Sequence, residues 1–225
     1  TTGNQNAFYG TYSGFSTTTG SNNVAVGDTS LRNNTTGEHN VAVGKEAGKL
    51  NTTGGSNSSL GAGALYTNTT GGNNTAIGDS ALNLATTASY NTAVGGSALR
   101  ANTTGHSNVA VGNSALDANI SGNYNLAVGR DSLGGNTTGA GNISVGASTL
   151  LTNTTGGNNV AMGNDSLRAN TTASNNSAFG NACLQANTTG SDNAAFGANA
   201  LTTNTTASSN SAFGYHALRY NTTGY

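Results

Sequence analysis

Proline and tryptophan are absent from these 225 residues, there is one cysteine, and only 7% of residues carry charge. Ordinary globular domains carry about a quarter charged residues. The single Cys183 excludes an intrachain disulfide framework. Cys183 stands where other repeats have Ala, Ser or Thr, which points to a small buried residue rather than a reactive thiol. With a net charge of −1 the chain has no basic field to recruit nucleic acid or an anionic membrane. No apolar run approaches the roughly 18 residues of a membrane span, so no membrane insertion is expected. The chain starts at Thr1 with neither Met nor a signal peptide, as expected of a mature protein or an excised segment. Disorder is not implied, because a disordered chain of such low hydrophobicity usually carries more charge and proline.

What the chain does contain is a repeat. Asn recurs at Asn6, Asn23, Asn40, Asn57, Asn74, Asn91, Asn108, Asn125, Asn142, Asn159, Asn176, Asn193 and Asn210, always at an interval of 17. Taking this Asn as position 1, position 5 is Gly in all thirteen copies, from Gly10 to Gly214. Position 4 is always large and apolar, from Tyr9 and Val26 to Phe213, and position 3 is Ala except at Phe8, Ser59 and Ser144. Position 9 is Leu except at Gly14 and Gly48, and position 12 is Asn except at Thr17 and Ala85. Thr-Thr nearly always follows, then Gly or Ala. The consensus is N-x-A-φ-G-x-x-A-L-x-x-N-T-T-G-x-x, with φ large and apolar.

A 17-residue unit is too short for a helix–turn–helix repeat, which needs about 33. Glycine at positions 5 and 15 would also break helices. The N-V-A-V-G segment is short, β-branched and bounded by Gly, as a strand is. The expected fold is therefore all-β: a parallel β-solenoid (β-roll) with one coil per 17-residue repeat and 13 coils, forming one uncapped array over residues 1–225. At about 4.8 Å per coil the stack would be roughly 60 Å long. Stacking turns position 1 into a ladder of hydrogen-bonded Asn amides. It sets position 4 and position 9 against each other as the expected apolar core, with position 5 taking a positive φ. The Ala row at position 3 either fills a narrow interior or lets another surface pack closely. Phe15 and Leu50 are expected to turn inward and refill the gaps at Gly14 and Gly48. The repeat is cut at both termini, by Thr1-Thr2-Gly3 and by Asn221-Thr222-Thr223-Gly224, as in a longer array or a head-to-tail filament.

The segments Asn23–Gly27, Asn40–Gly44 and Asn108–Gly112 resemble the head repeats of trimeric autotransporter adhesins. The whole chain is also similar to N-T-T-G-x-x-N-x-A-x-G repeats of bacterial surface proteins and phage tail-fibre-like proteins. The adhesin resemblance implies a left-handed roll, a homotrimer of side-by-side chains and display at the cell surface. The 17-residue coil is longer than that family's repeat.

Catalytic or metal chemistry finds little support. His39, His106 and His216 occupy positions 17, 16 and 7, so stacking does not bring them together. Glu38 and His39 lack the nucleophile of a triad, and Cys183 lacks partner ligands for zinc. Asp28, Asp79, Asp131 and Asp165 do not follow the register of calcium β-rolls, and no phosphate loop is present. No cofactor is expected.

Two repeated chemistries remain. The first is an N-x-S/T sequon at Asn34, Asn51, Asn68, Asn102, Asn119, Asn136, Asn153, Asn170, Asn187, Asn204 and Asn221, read either as glycan acceptors or as coil geometry. The second is the Thr ladder beside it. N-x-V-x-G repeats also resemble grass ice-binding β-rolls, but the paired threonines are expected to alternate in and out rather than form two outward rows. The reading is a structural, non-catalytic extracellular fibre or adhesin shaft that self-associates as a trimer or filament, with surface glycans as further partners. The alternative is an ice- or glycan-binding solenoid.

Overall fold

A computed structural model describes residues 2–222; Thr1, Thr223 and Gly224 of the cut terminal repeats lie outside the described residues. The fold is all-β, a parallel β-solenoid with no helix among the described residues. Its strands are β1 (Ala7–Tyr9), β2 (Val24–Val26), β3 (Val41–Val43), β4 (Ser58–Leu60), β5 (Thr75–Ile77), β6 (Thr92–Val94), β7 (Val109–Val111), β8 (Leu126–Val128), β9 (Ile143–Val145), β10 (Val160–Met162), β11 (Ser177–Phe179), β12 (Ala194–Phe196) and β13 (Ser211–Phe213). The chain divides into two compact units at Asn108/Val109, although the 17-residue period runs on without a break. In the first unit β1 to β6 pair in sequence order, and in the second β7 to β13 do so. Every register puts like on like, as in Val24↔Val41 and Ser177↔Ala194.

Successive tight turns follow the strands. In the third coil Ala47 N–H donates to Gly44 C=O at 3.3 Å and Lys49 N–H to Glu46 C=O at 3.2 Å. The third residues of these turns, Glu46 (φ 62°) and Gly48 (φ 58°), take the positive φ that a type II turn requires. Gly44 itself has φ 133°, and a Cβ there would stand 2.6 Å from the Gly61 carbonyl oxygen, so position 5 admits only Gly. Position 9 is the costlier case. Leu99 and Leu133 hold φ 52°, although left-handed backbone costs a non-Gly residue roughly 1–2 kcal/mol. Both leucines are fully buried, and burying Leu gains about 1.5–3 kcal/mol. The burial outweighs the strain.

The core differs from the expected pairing of positions 4 and 9. A strand that buries Asn at position 1 must also bury position 3, because side chains alternate faces. Ala25, Ala42, Ala76 and Ala93 are accordingly buried at position 3 and pack with the Ala row of position 8 and the Leu row of position 9. Position 4 lies on the opposite face, with Val26 38% and Ile77 40% exposed. The position-3 Ala row is thus the filling of a narrow interior. At Ser132 and Ser144 the interior turns polar and the hydroxyls are paired: Ser132 Oγ and Ser144 Oγ lie 2.7 Å apart, and Ser144 Oγ donates to Thr149 C=O at 3.0 Å.

The gaps in the Leu row are closed otherwise than expected. Phe15 is 66% exposed. The Phe8 ring, at the usual Ala position of the same coil, occupies the space a side chain at Gly14 would need. At Gly48 the Leu31 methyl of the preceding coil stands 3.0 Å from where a Cβ would sit, and Leu50 is half-buried.

Two Asn ladders run through the interior. At position 1, Asn74 Nδ2 donates to Asn57 Oδ1 at 3.1 Å and to Ala88 C=O at 2.8 Å, while Asn57 Oδ1 also accepts the Asn74 N–H at 3.0 Å. At position 12, Asn51 Nδ2 donates to Asn34 Oδ1 at 2.8 Å and to Gly54 C=O at 2.9 Å. The second ladder breaks at Ala85, and the buried Asn68 Oδ1 there has no hydrogen-bond donor. Replacing Ala85 by Asn is expected to restore the donor and stabilise the chain by about 1–3 kcal/mol, the cost of an unpaired buried group. Asn159→Ala removes the two bonds donated by Nδ2 and the Oδ1 acceptor shared by the Asn176 N–H and Nδ2, and is expected to destabilise by about 1–3 kcal/mol or more. Denaturant unfolding of both variants checks these opposite signs.

Candidate functional site

With positions 1, 3, 8, 9, 12 and 15 turned inward, the remaining columns form the surface. The strand face presents position 2 and position 4 and carries no charged residue in any repeat. In the first unit it displays Val24, Val41, Val26, Val43, Leu60 and Ile77; in the second, Val109, Ile143, Val111 and Met162, all partly exposed. Phe179, Phe196 and Phe213 extend that face as a stack, with ring centroids 4.8 and 5.0 Å apart and planes within 6° and 2° of parallel. Within each unit the apolar side chains follow one another along this face.

Charge collects elsewhere, on the turns at positions 6, 7 and 10 and at a few residues of positions 16 and 17. Lys49 Nζ lies 2.8 Å from Glu46 Oε1, and 5.2 Å above the Tyr66 ring. The hydrogen bond from Lys49 holds the Glu46 carboxyl below its ordinary value, and Glu46 in turn raises the Lys49 ammonium. Arg130 Nη1 lies 2.7 Å from Asp131 Oδ2, and Arg168 Nη1 3.6 Å from Asp165 Oδ1. These exposed pairs contribute little to stability. A notch of about 420 Å³ opens beside Tyr66, because Ala62 and Gly63 are small where the neighbouring coils carry Lys45–Glu46 and Asp79–Ser80. In its lining Ser80 Oγ donates to Asp79 Oδ2 at 3.1 Å.

His39 is exposed at position 17. His106 Nδ1 lies 3.3 Å from Ser107 Oγ, and His216 stacks on Tyr215 at 3.8 Å. The three histidines stay in separate columns. Among the described residues no group of three His, Cys, Asp or Glu could hold a metal ion, and no helix is long and apolar enough to cross a membrane.

The sequons meet a different fate from that of glycan acceptors. Asn34, Asn51, Asn68, Asn102, Asn119, Asn136, Asn153, Asn170, Asn187 and Asn204 are buried, and the nitrogen a glycan would occupy points into the coil. Asn153 Nδ2, for example, is bonded to Asn136 Oδ1 at 2.9 Å and to Gly156 C=O at 2.9 Å. Asn221 is half-buried, with Nδ2 at 3.2 Å from Asn210 Oδ1, and Thr223 of its sequon lies outside the described residues. The folded coil therefore has no room for a glycan at the ten buried positions.

The Thr pair also departs from expectation. Position 13 is half-buried and position 14 exposed, as at Thr35 and Thr36. The buried residues flanking them are Asn34 and Gly37, so both threonines reach the surface at a corner instead of alternating across a strand. Thr35 Oγ1 donates to Thr52 C=O at 3.0 Å, and the N–H groups of Thr35, Thr36 and Gly37 converge on that same carbonyl at 2.9, 3.2 and 3.3 Å. The position-13 hydroxyl is turned toward the backbone, and the hydroxyl beside it is left at the surface.

The thiol of Cys183 is fully buried, donates to Ala195 C=O at 3.2 Å, and is pushed up to about 12 by burial. Because the thiolate is the reactive form, Cys183 is expected to resist alkylation at pH 8 in the folded chain and to react after unfolding. Mass spectrometry after iodoacetamide treatment reads the difference, and rapid labelling of the folded chain would contradict the buried placement.

Comparison with protein-family models, with curated proteins and with solved structures finds no match to this chain.

Proposed function

We propose that the chain is a structural, non-catalytic element, an extracellular fibre or adhesin shaft whose coils assemble with other chains. The uncharged apolar strand face carries this reading. A solenoid held together by internal amide ladders gains no stability from Val, Ile or Phe facing water, whereas a face buried against another chain does. The charged turns lie off that face and keep the rest of the surface wet. Surface display and the adhesive role rest on the resemblance to adhesin and tail-fibre repeats.

A second reading is ice or glycan binding, favoured by the two surface Thr rows. Thermal hysteresis and a glycan array test it.

Self-association is tested by sedimentation and electron microscopy of the native chain. Multi-chain particles or fibres are expected. Val43→Lys with Val111→Lys places two ammonium groups on the strand face and is expected to yield single chains with an unchanged circular dichroism spectrum. A wild-type chain that sediments as a monomer at all concentrations refutes the reading.

A further inference from the structure

Side-chain sizes on the strand face follow a rule that a single chain in water does not require. In β11, β12 and β13 the aromatic rings of Phe179, Phe196 and Phe213 at position 4 share their strand with Ser177, Ala194 and Ser211 at position 2. Ala7 and Tyr9 obey the same rule in β1. Where position 4 is Val, position 2 is β-branched or Leu in every coil. Small goes with large and medium with medium in most coils, with Ser58 beside Leu60 and Leu126 beside Val128 fitting less closely, so the total per coil varies less than either column does. Solvent sets no such limit on exposed side chains; a packed partner does.

We infer that the occupant of this face is a second copy of the chain, docked face to face, parallel and in register, about a twofold axis along the stacking direction. This pairing rests on the self-associating reading above and makes it specific. A twofold along the stack places position 2 of each coil opposite position 4 of the same coil in its partner. Each Phe of β11 to β13 then faces a Ser or Ala, and each Val faces a residue of its own size class. A twofold across the stack instead places position 2 against position 2 of another coil. Within the second unit it would set Phe213 against Val111 and Ser211 against Val109, leaving one contact crowded and its neighbour open.

Area and charge fit the same occupant. A three-residue strand covers about 10 Å by about 4.8 Å, so the seven strands of the second unit offer roughly 340 Å² per copy. A pair joined through that unit would bury roughly 700 Å² of strand surface, a small contact that suits a concentration-dependent dimer. No residue of either column would bury an unpaired charge.

The experiment uses the full chain in a Cys183→Ala background, since position 8 is Ala in other coils. Spin labels are placed one at a time at Asn113, Ala147 and Ala198, all at position 6 of the second unit. The parallel pair predicts a dimer by sedimentation and one common label-to-label distance at all three sites. An antiparallel pair predicts distances that lengthen by about 10 Å for each coil away from the axis, twice the strand spacing. A size swap adds a rescue. Ser177→Phe sets ring against ring and is expected to weaken the dimer at least about tenfold, and Ser177→Phe with Phe179→Ser to return it within about threefold of the parent. Circular dichroism confirms that each variant is folded. Unequal distances, a trimeric mass, or a double variant as weak as Ser177→Phe alone overturns the pairing while leaving self-association standing. A monomeric parent overturns both.

Discussion

The backbone carbonyl at position 15 is the point on which the coil closes. In the second repeat Gly37 C=O accepts Asn23 Nδ2 at 2.9 Å and Asn34 Nδ2 at 3.0 Å, one amide from each end of the coil. A coil with a single three-residue strand leaves most of its backbone outside any sheet, and buried carbonyls without donors are costly. The two asparagines supply those donors from within the same coil. Their Oδ1 atoms then serve the following coil, as Asn23 Oδ1 accepts the Asn40 N–H at 3.0 Å. A side chain with both donors and an acceptor is needed at both places, and among the short side chains only Asn has them.

That constraint sets the rest of the interior. Once Asn is inside at position 1, alternation puts position 3 inside and positions 2 and 4 outside. The Leu of position 9 reaches across from the turn, and the room left opposite it fits Ala but nothing larger in most coils. Phe8 shows the exception that tests this: a ring is accepted at position 3 only where Gly14 gives up the Leu. The left-handed backbone at the Leu row follows from the same geometry, since the chain must turn twice within five residues to bring Leu31 or Leu65 over the Ala columns.

Much of this was legible in the sequence. The 17-residue period, the parallel in-register stack, the buried ladder at position 1 and the positive φ at position 5 all follow from repetition and residue type. The phase of the strand was legible in principle, because a buried Asn at position 1 excludes a buried position 4, but hydrophobicity alone argues the other way for Val26 or Phe196. The second ladder was hidden because N-T-T has a ready chemical meaning as a sequon, whereas its role depends on a carbonyl three residues later, as from Asn68 to Gly71 at 2.9 Å. The outward course of both threonines was hidden because alternation applies to extended strands, and Thr35 and Thr36 sit at a corner where three N–H groups share one acceptor.

The division between invariant and variable positions within the chain then has a physical explanation. A ladder residue serves its own coil and the next, so a change at one rung leaves an unmet group on another, as Ala85 does to Asn68 Oδ1. A turn residue at position 6, 7 or 10 serves mainly its own coil, and Lys, Asp, Ala, Gly and Tyr are all found there. Positions 2 and 4 fit neither class. They vary more in identity than in combined size, and they never admit charge. Ladder rungs are restrained by hydrogen-bond partners above and below them in the stack, and free surface residues by nothing beyond their own turn. A column pair similar in joint volume and polarity is what the proposed face-to-face pairing requires, since the solenoid's own interior lies on the other side of the strand.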